Sequence, residues 1–214
     1  MNAMRTATVA GALGAMALLG ACVEMAAIGV GAAVISVHDR RSTGTQVEDE
    51  AIELRASNRI RDRFGDRVHV NVTSYNRIVL LTGEVPDAQT REAVERIVLD
   101  LPNRPRALTN ELRVGAPSSL QSRANDSFIT GKVKARLVDS RQVSALHVKV
   151  VTEAAVVYLM GIVTEAEANA AVEVARTTGG VAKVVKVFEY CKPTDEICRP
   201  QASAEAGAKP AAER

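Results

Sequence analysis

"VYLMGIVTEAEANAA", residues Val157 to Ala171, runs as an apolar strand into Gly161 and then turns into an acidic, alanine-rich stretch of helical character. A turn after a strand with a threonine and two glutamates beside it is where an enzyme often places catalytic groups. The stretch occurs twice, however. "IVLLTGEVPDAQTREAV", Ile78 to Val94, superposes on it at an offset of 78 residues, with Gly83 on Gly161, Val85 on Val163 and Ala93 on Ala171. The same offset places "VHVNV" (Val68 to Val72) over "LHVKV" (Leu146 to Val150). A duplication of this length marks a repeated structural unit, so the shared residues build a fold rather than perform chemistry.

The periodicities specify that fold. Ile52, Ala56, Ile60 and Phe64 recur every four residues and predict a helix with one buried stripe. Val68, Val70 and Val72 then alternate with polar residues, "SYN" turns the chain, and Ile78 to Gly83 forms a second strand. Val94, Ile97, Val98 and Leu101 share one face of a second helix that Pro102 ends, and Leu108, Leu112 and Val114 lie on a last strand. The second copy repeats the order, with Ile129, Val133 and Leu137 on its first helix. The expected class is α+β: two tandem αββαβ units, each a three-stranded mixed sheet packed by two helices. Thr164 and Glu167 form a capping box, so the acidic residues of the opening stretch are mainly helix-start chemistry. Gly161 is expected to permit a backbone geometry or close approach that a side chain would obstruct.

A chain of 214 residues accommodates two such units of roughly 65 residues each. The formal net charge of +2 and an aromatic content of 3% without tryptophan argue against a nucleic-acid partner.

The N-terminus carries Arg5, an apolar stretch from Ala7 to Leu19, and then Leu19-Gly20-Ala21-Cys22. This is a secretory signal whose small residues fit a peptidase cleft. A cysteine directly after them resembles the bacterial lipobox, which implies acylation of Cys22 and anchorage to a membrane through its acyl chains. The alternative is an uncleaved transmembrane helix from Ala7, helped by a second apolar run from Met25 to Val37 but interrupted by Glu24. With Cys22 lipidated, Cys191 and Cys198 remain as an even pair in an oxidising compartment, and a disulfide is expected. The alternative of a metal site lacks the usual ligand spacing and a nearby histidine.

These signals divide the chain into a signal peptide (1–21), the acylated cysteine and a tether (22–46), a first unit (47–114), a linker (115–123), a second unit (124–190) and a tail (191–214) too poor in apolar residues to pack, apart from its disulfide. An αββαβ unit with a strand ending in Gly83 or Gly161, an acidic helix after it and a closing "ALTNELRV" strand resembles the BON domain of bacterial envelope proteins. Two such units behind a lipobox, with "STGTQVED", "LLTGEVPDA", "NDSFITGKVKARL" and "VYLMGIVTEAEANAA", resemble the dual-BON outer-membrane lipoproteins. That resemblance implies a periplasm-facing protein that binds anionic phospholipid, phosphatidylglycerol and cardiolipin among them, concentrates at division sites and supports envelope integrity. "LPNRPRAL" departs from the family, which usually has a Gly-Val pair there. Val23 after Cys22, where aspartate would be the inner-membrane retention signal of enteric bacteria, predicts delivery to the outer membrane.

Little in the chain points to catalysis. His38 lies in the tether, and His69 and His147 occupy equivalent repeat positions opposite the core valines, as solvated or lightly packed strand residues. No P-loop, dinucleotide fingerprint or zinc motif is present, and no two acids are marked out as a pair. Neither enzyme activity, a cofactor nor a metal is expected.

The first helices of the two units differ in charge. Glu48 to Arg67 holds five arginines against six acids, a net of −1, whereas Arg123 to Arg141 holds five basic residues against two acids, a net of +3. Phe128, Lys132 and Arg136 form a stripe beside the core face of the second, with Lys134 near it, and small Ala51 stands where the second unit has Phe128. An apolar ring beside cationic heads suits an interfacial lipid contact. The alternative is that Phe128 caps the edge of the core and the lysines are a solvated face; the family resemblance favours lipid. A second function class is a protein-binding scaffold for an envelope assembly or secretion machine. "IVLLTG" and "VVYLMG" are apolar on both faces, and a sheet covered by helices on one side needs only one. The spare faces either pack unit against unit or bind a partner.

Overall fold

The computed structural model describes residues Asp39 to Cys198; the signal sequence, Cys22, His38 and residues 199–214 lie outside it. The first repeat runs α1 (Thr43–Phe64), β1 (His69–Tyr75), β2 (Ile78–Val85), α2 (Ala88–Leu99), β3 (Ala107–Asn110) and β4 (Arg113–Val114). The second runs α3 (Leu120–Asp139), β5 (Lys149–Glu153), β6 (Val156–Val163), α4 (Glu165–Arg176) and β7 (Lys183–Tyr190). Each sheet is mixed: β1 and β5 pair antiparallel with the central strands β2 and β6, and β3, β4 and β7 pair parallel with them. The fold is α+β and its order is the αββαβ read from the sequence. The closing strand of the first repeat is interrupted at Glu111 and Leu112, yet Leu81 faces Asn110 and Glu84 faces Arg113, so register is kept across the break.

Helices α1 and α3 begin upstream of the expected boundaries, α3 inside the expected linker. Ser42 and Ser119 explain this: each accepts a hydrogen bond from the backbone N–H three residues on, which caps the helix. Thr164 and Glu167 form the capping box at α4. The chain also packs further along its tail than composition suggests. A disulfide joins Cys191 to Cys198, and the cross-link holds Cys198 in a buried position.

Each repeat has its own core between helices and sheet. Ile52, Ala56, Val79, Leu81, Val94 and Val98 fill the first, and Ile129, Val133, Leu137, Val157, Leu159 and Ala171 the second. A Cβ built on Gly83 would lie 2.0 Å from the carbonyl oxygen of His69, and one on Gly161 2.2 Å from that of His147. Glycine is required at both because neighbouring backbone occupies the side-chain position.

A third apolar cluster lies between the sheets. Strand side chains alternate faces, so Leu80 of β2 points away from the first core, and Tyr158, Met160 and Ile162 of β6 point away from the second. These four pack together with Tyr75 and Cys198, flanked by Ile78, Val151, Val185 and Val187. The spare sheet faces therefore pack repeat against repeat.

The hairpins share a buried support. Asn76 and Arg77, and likewise Ala154 and Ala155, have φ between 49° and 61°, the geometry of a two-residue hairpin loop that normally selects Asn-Gly. Asp49 accepts from the N–H groups of Asn76 and Arg77 at 2.8 and 2.7 Å and from the Ser74 hydroxyl at 2.6 Å. Asp126 accepts from Ala154 N–H and Ala155 N–H, both at 2.8 Å. A buried carboxylate from each first helix thus holds a turn in which Arg77, Ala154 and Ala155 adopt a left-handed backbone they disfavour, Asn76 being suited to it. Asp126→Ala should cost about 2–4 kcal/mol in urea denaturation by leaving those amides without their charged acceptor. Ala155→Gly should instead stabilise by about 0.5–1 kcal/mol, since the left-handed cost at alanine exceeds the added chain entropy of glycine. Equal and small effects of both would rule out the clamp.

Candidate functional site

Helix α3 has two apolar faces. Ile129, Val133 and Leu137 point into the core. On the opposite side Leu120, Ala124, Phe128, Gly131, Ala135 and Val138 are all exposed, Leu120 at 81%, Phe128 at 65% and Val138 at 72%. An angular step of about 100° per residue places these six within one quadrant of the helix. Helix α1 differs at the equivalent positions, where Thr43, Asn58 and Arg61 stand for Leu120, Ala135 and Val138, and Ala51 for Phe128. Val47 and Leu54 of α1, which stand for Ala124 and Gly131, are exposed as well, but Thr43, Asn58 and Arg61 interrupt the line, so the six-residue outward apolar stripe belongs to the second repeat.

The basic residues around it divide by what they touch. Lys134 is exposed and makes no hydrogen bond or ion pair to another described residue. Lys132 sits over the Phe128 ring, 4.8 Å from its centre, and donates to the carbonyl oxygen of Gly179. Arg136 donates to the carbonyl of Val174 at 2.8 Å and to the hydroxyls of Thr178 and Thr177 at 2.7 and 3.0 Å, which places its charge at the C-terminal end of α4. Arg59, its counterpart in α1, likewise donates to the carbonyl of Asp100 just past α2. The repetition marks this arginine as part of the fold's framework, whereas Phe128 and Lys134 have no such counterpart.

The polar end of the seam between the sheets gathers a second set of residues. His69 and Glu84 are direct cross-strand partners on β1 and β2. Glu153 of β5 faces them, its Oε1 3.6 Å from His69 Nε2 and its Oε2 accepting from Asn71 Nδ2 at 2.8 Å. Burial pushes the Glu153 carboxyl up, and the charges of Glu84 and Asp126 add to this against the opposing pull of Asn71 and His69. An open pocket of about 380 Å³ adjoins the group, with Asp126 and Arg123 on its α3 side. His69 is thus a partly buried strand residue against an acid of the other repeat, which fits the packed rather than the solvated alternative. His147 lies in a short 3₁₀ turn (Ala145–His147), with Nδ1 3.5 Å from Glu167.

The segment entering α1 is fastened at the same seam. Arg40 forms a two-point ion pair with Glu167 at 2.8 and 2.9 Å and donates to the carbonyl of Ile162 at 2.8 Å. Arg41 pairs with Asp39 and Asp49 and lies over the Tyr75 ring, 4.1 Å from its centre. Burial would raise the Glu167 carboxyl, but the Arg40 guanidinium and the Thr164 N–H and hydroxyl outweigh it and hold the group at about 2. No signal in the sequence separated Arg40 and Arg41 from the rest of the tether. Among the described residues no helix is long and apolar enough to cross a membrane.

The BON domain family matches residues 49–116 and 125–192, one copy on each repeat. The chain belongs to the BON-domain family. It is 37% identical over 181 residues to the outer membrane lipoprotein DolP of Haemophilus influenzae, covering 83% of this chain and 93% of that one. It is 38% identical over 154 residues to the 21 kDa hemolysin of Actinobacillus pleuropneumoniae, covering 71% of this chain and 79% of that one. Among solved structures, the C-terminal domain of CdsD, the structural protein of the type III secretion system of Chlamydia trachomatis, aligns with 63% of this chain at 11% identity and a TM-score of 0.28, too low to bear on function. These relationships make the chain a dual-BON, DolP-like lipoprotein, lipid-anchored at the outer membrane.

The Arg40–Glu167 pair carries a pH signature. Glu167 titrates below its ordinary value of 4.5 when folded, so the stabilisation is complete above that value and is lost as pH falls toward about 2. The difference in melting temperature between the wild type and Arg40→Ala should therefore be largest near neutrality and shrink through that window. A difference independent of pH would show that Arg40 acts through packing alone.

Proposed function

We propose that the protein, acylated at Cys22 and facing the periplasm, binds anionic phospholipid through the outward stripe of α3 and so supports envelope integrity, with division sites as its place of action. The observation that carries this reading is the unbroken exposed apolar line Leu120, Ala124, Phe128, Gly131, Ala135 and Val138 beside Lys134, whose ammonium pairs with no other described residue. A helix with a second apolar face and basic flanks lies in the interfacial plane of a bilayer, where each basic residue near an anionic surface contributes about 1 kcal/mol. Lys132 and Arg136, held by the loop after α4 and by its last turn, add positive charge at fixed positions. The action is non-enzymatic: binding and anchorage, with no bond made or broken.

The scaffold alternative rested on strand faces apolar on both sides, and the packing of Leu80 against Tyr158, Met160 and Ile162 accounts for them. The lipid reading rests on residues that this packing leaves exposed.

A fragment from Asp39 to Cys198 should float with phosphatidylglycerol vesicles and not with neutral phosphatidylcholine vesicles. Phe128→Ala should weaken that binding by about 1–2 kcal/mol, the loss expected for removing a partly inserted ring, with little change in the thermal melt. Lys134→Glu should weaken binding to anionic vesicles alone, by less as salt is added. Undiminished binding in both variants would remove α3 as the lipid-contacting element.

A further inference from the structure

We propose that His69, Glu84 and Glu153 form a divalent-metal site, with zinc as the ion their donor set favours, that ties the two BON repeats together across the seam. The three side chains come from three strands and two sheets. One imidazole nitrogen and two carboxylate oxygens lie within 4.8 Å of one another. Ligand atoms bound to one zinc at about 2.0–2.2 Å sit roughly 3.3 Å apart, so the set closes on an ion with side-chain movements of about 1 Å.

Charge supports the assignment. Glu84 and Glu153 are both buried, at 4% and 5% exposure, and Asp126 adds a further negative charge nearby. Against them Arg113 pairs with Glu84 at 3.0 Å, with its side chain half exposed, while Arg123, across the adjoining pocket, is turned to the hydroxyl and carbonyl of Ser118. Two buried carboxylates brought together from separate domains call for a proton or a cation between them. The contact between His69 Nε2 and Asn71 Nδ2 is long, at 3.4 Å, so an ion on that nitrogen displaces little.

The surrounding shell is already in place. Asn71 Nδ2 holds Glu153 Oε2, while Arg113 Nη2 and the Ser118 N–H hold the two oxygens of Glu84. Hydrogen-bonded carboxylates of this kind orient first ligands in metal proteins. The adjoining pocket gives an entry path and room for the water that completes four-coordination. An imidazole donor disfavours calcium and magnesium, which take oxygen ligands. Neither repeat alone holds the set, so the ion's affinity is coupled to the docking of one repeat on the other.

The test is zinc titration against a chromophoric chelator, using the tag-free full chain purified in detergent, stripped with EDTA and with its disulfide intact. One ion per chain is expected, together with a rise in melting temperature on zinc addition. His69→Ala and Glu153→Gln should each lower the affinity at least about tenfold, with Glu84→Gln as the second arm if Glu153→Gln does not fold by circular dichroism. His147→Ala, away from the site, should bind as the wild type does. No stoichiometric uptake by the wild type, or wild-type affinity in either site variant, would overturn the proposal.

Discussion

The burial of one sheet's outer face against the other organises the described part of the molecule. Leu80, Tyr158, Met160 and Ile162 would otherwise expose a large apolar area on each BON repeat, and contiguous patches of that kind are a liability in a soluble domain. Joining them fixes which surfaces remain available. The helices α1, α2, α3 and α4 become the outside of the pair, and of the two long helices only α3 carries an unbroken apolar line there. The same joining brings Glu153 against His69 and Glu84, and Arg40 and Arg41 fasten the start of the described chain to Glu167 of the second repeat and Asp49 of the first.

Duplication lets the two repeats be compared residue by residue, and the comparison separates framework from function. Asp49 and Asp126, Gly83 and Gly161, and Arg59 and Arg136 recur as pairs with a structural role. The aspartates support a hairpin, the glycines admit a close backbone approach, and the arginines tie the first helix to the end of the second. Phe128, Lys134, Ala135 and Val138 break the repeat, and all four are exposed on one helix. The repeats also differ at the buried seam, where Leu80 and Glu84 of β2 stand for Tyr158 and Ile162 of β6.

Much of the fold was legible because its signals are local. Period-two and period-four patterns identified both cores, and the Thr164 and Glu167 pair announced its helix. The start of α3 was not, because "GAPSSL" reads as a loop until Ser119 is seen to cap a helix. Apolar residues on both faces of β2 and β6 were plain in the sequence, but alternation along a strand says nothing of what covers the second face. Phe128 was identified as distinctive, whereas Leu120 and Val138 were not, since their exposure depends on where α3 begins and how it rolls onto the sheet. The group of His69, Glu84 and Glu153 has no motif at all: its members meet through strand register and domain docking, and no spacing along the chain encodes either.

On the proposed reading, docking the sheets leaves the outward face of α3 as the membrane-contacting surface. Environment-sensitive labels placed singly at Ala124, Ala135 and, as a contrast on α1, Leu54 would test it on phosphatidylglycerol vesicles containing a quencher attached to the acyl chains. Quenching is expected at positions 124 and 135 and none at position 54. Equal quenching at all three positions, or quenching at position 54 alone, would contradict it.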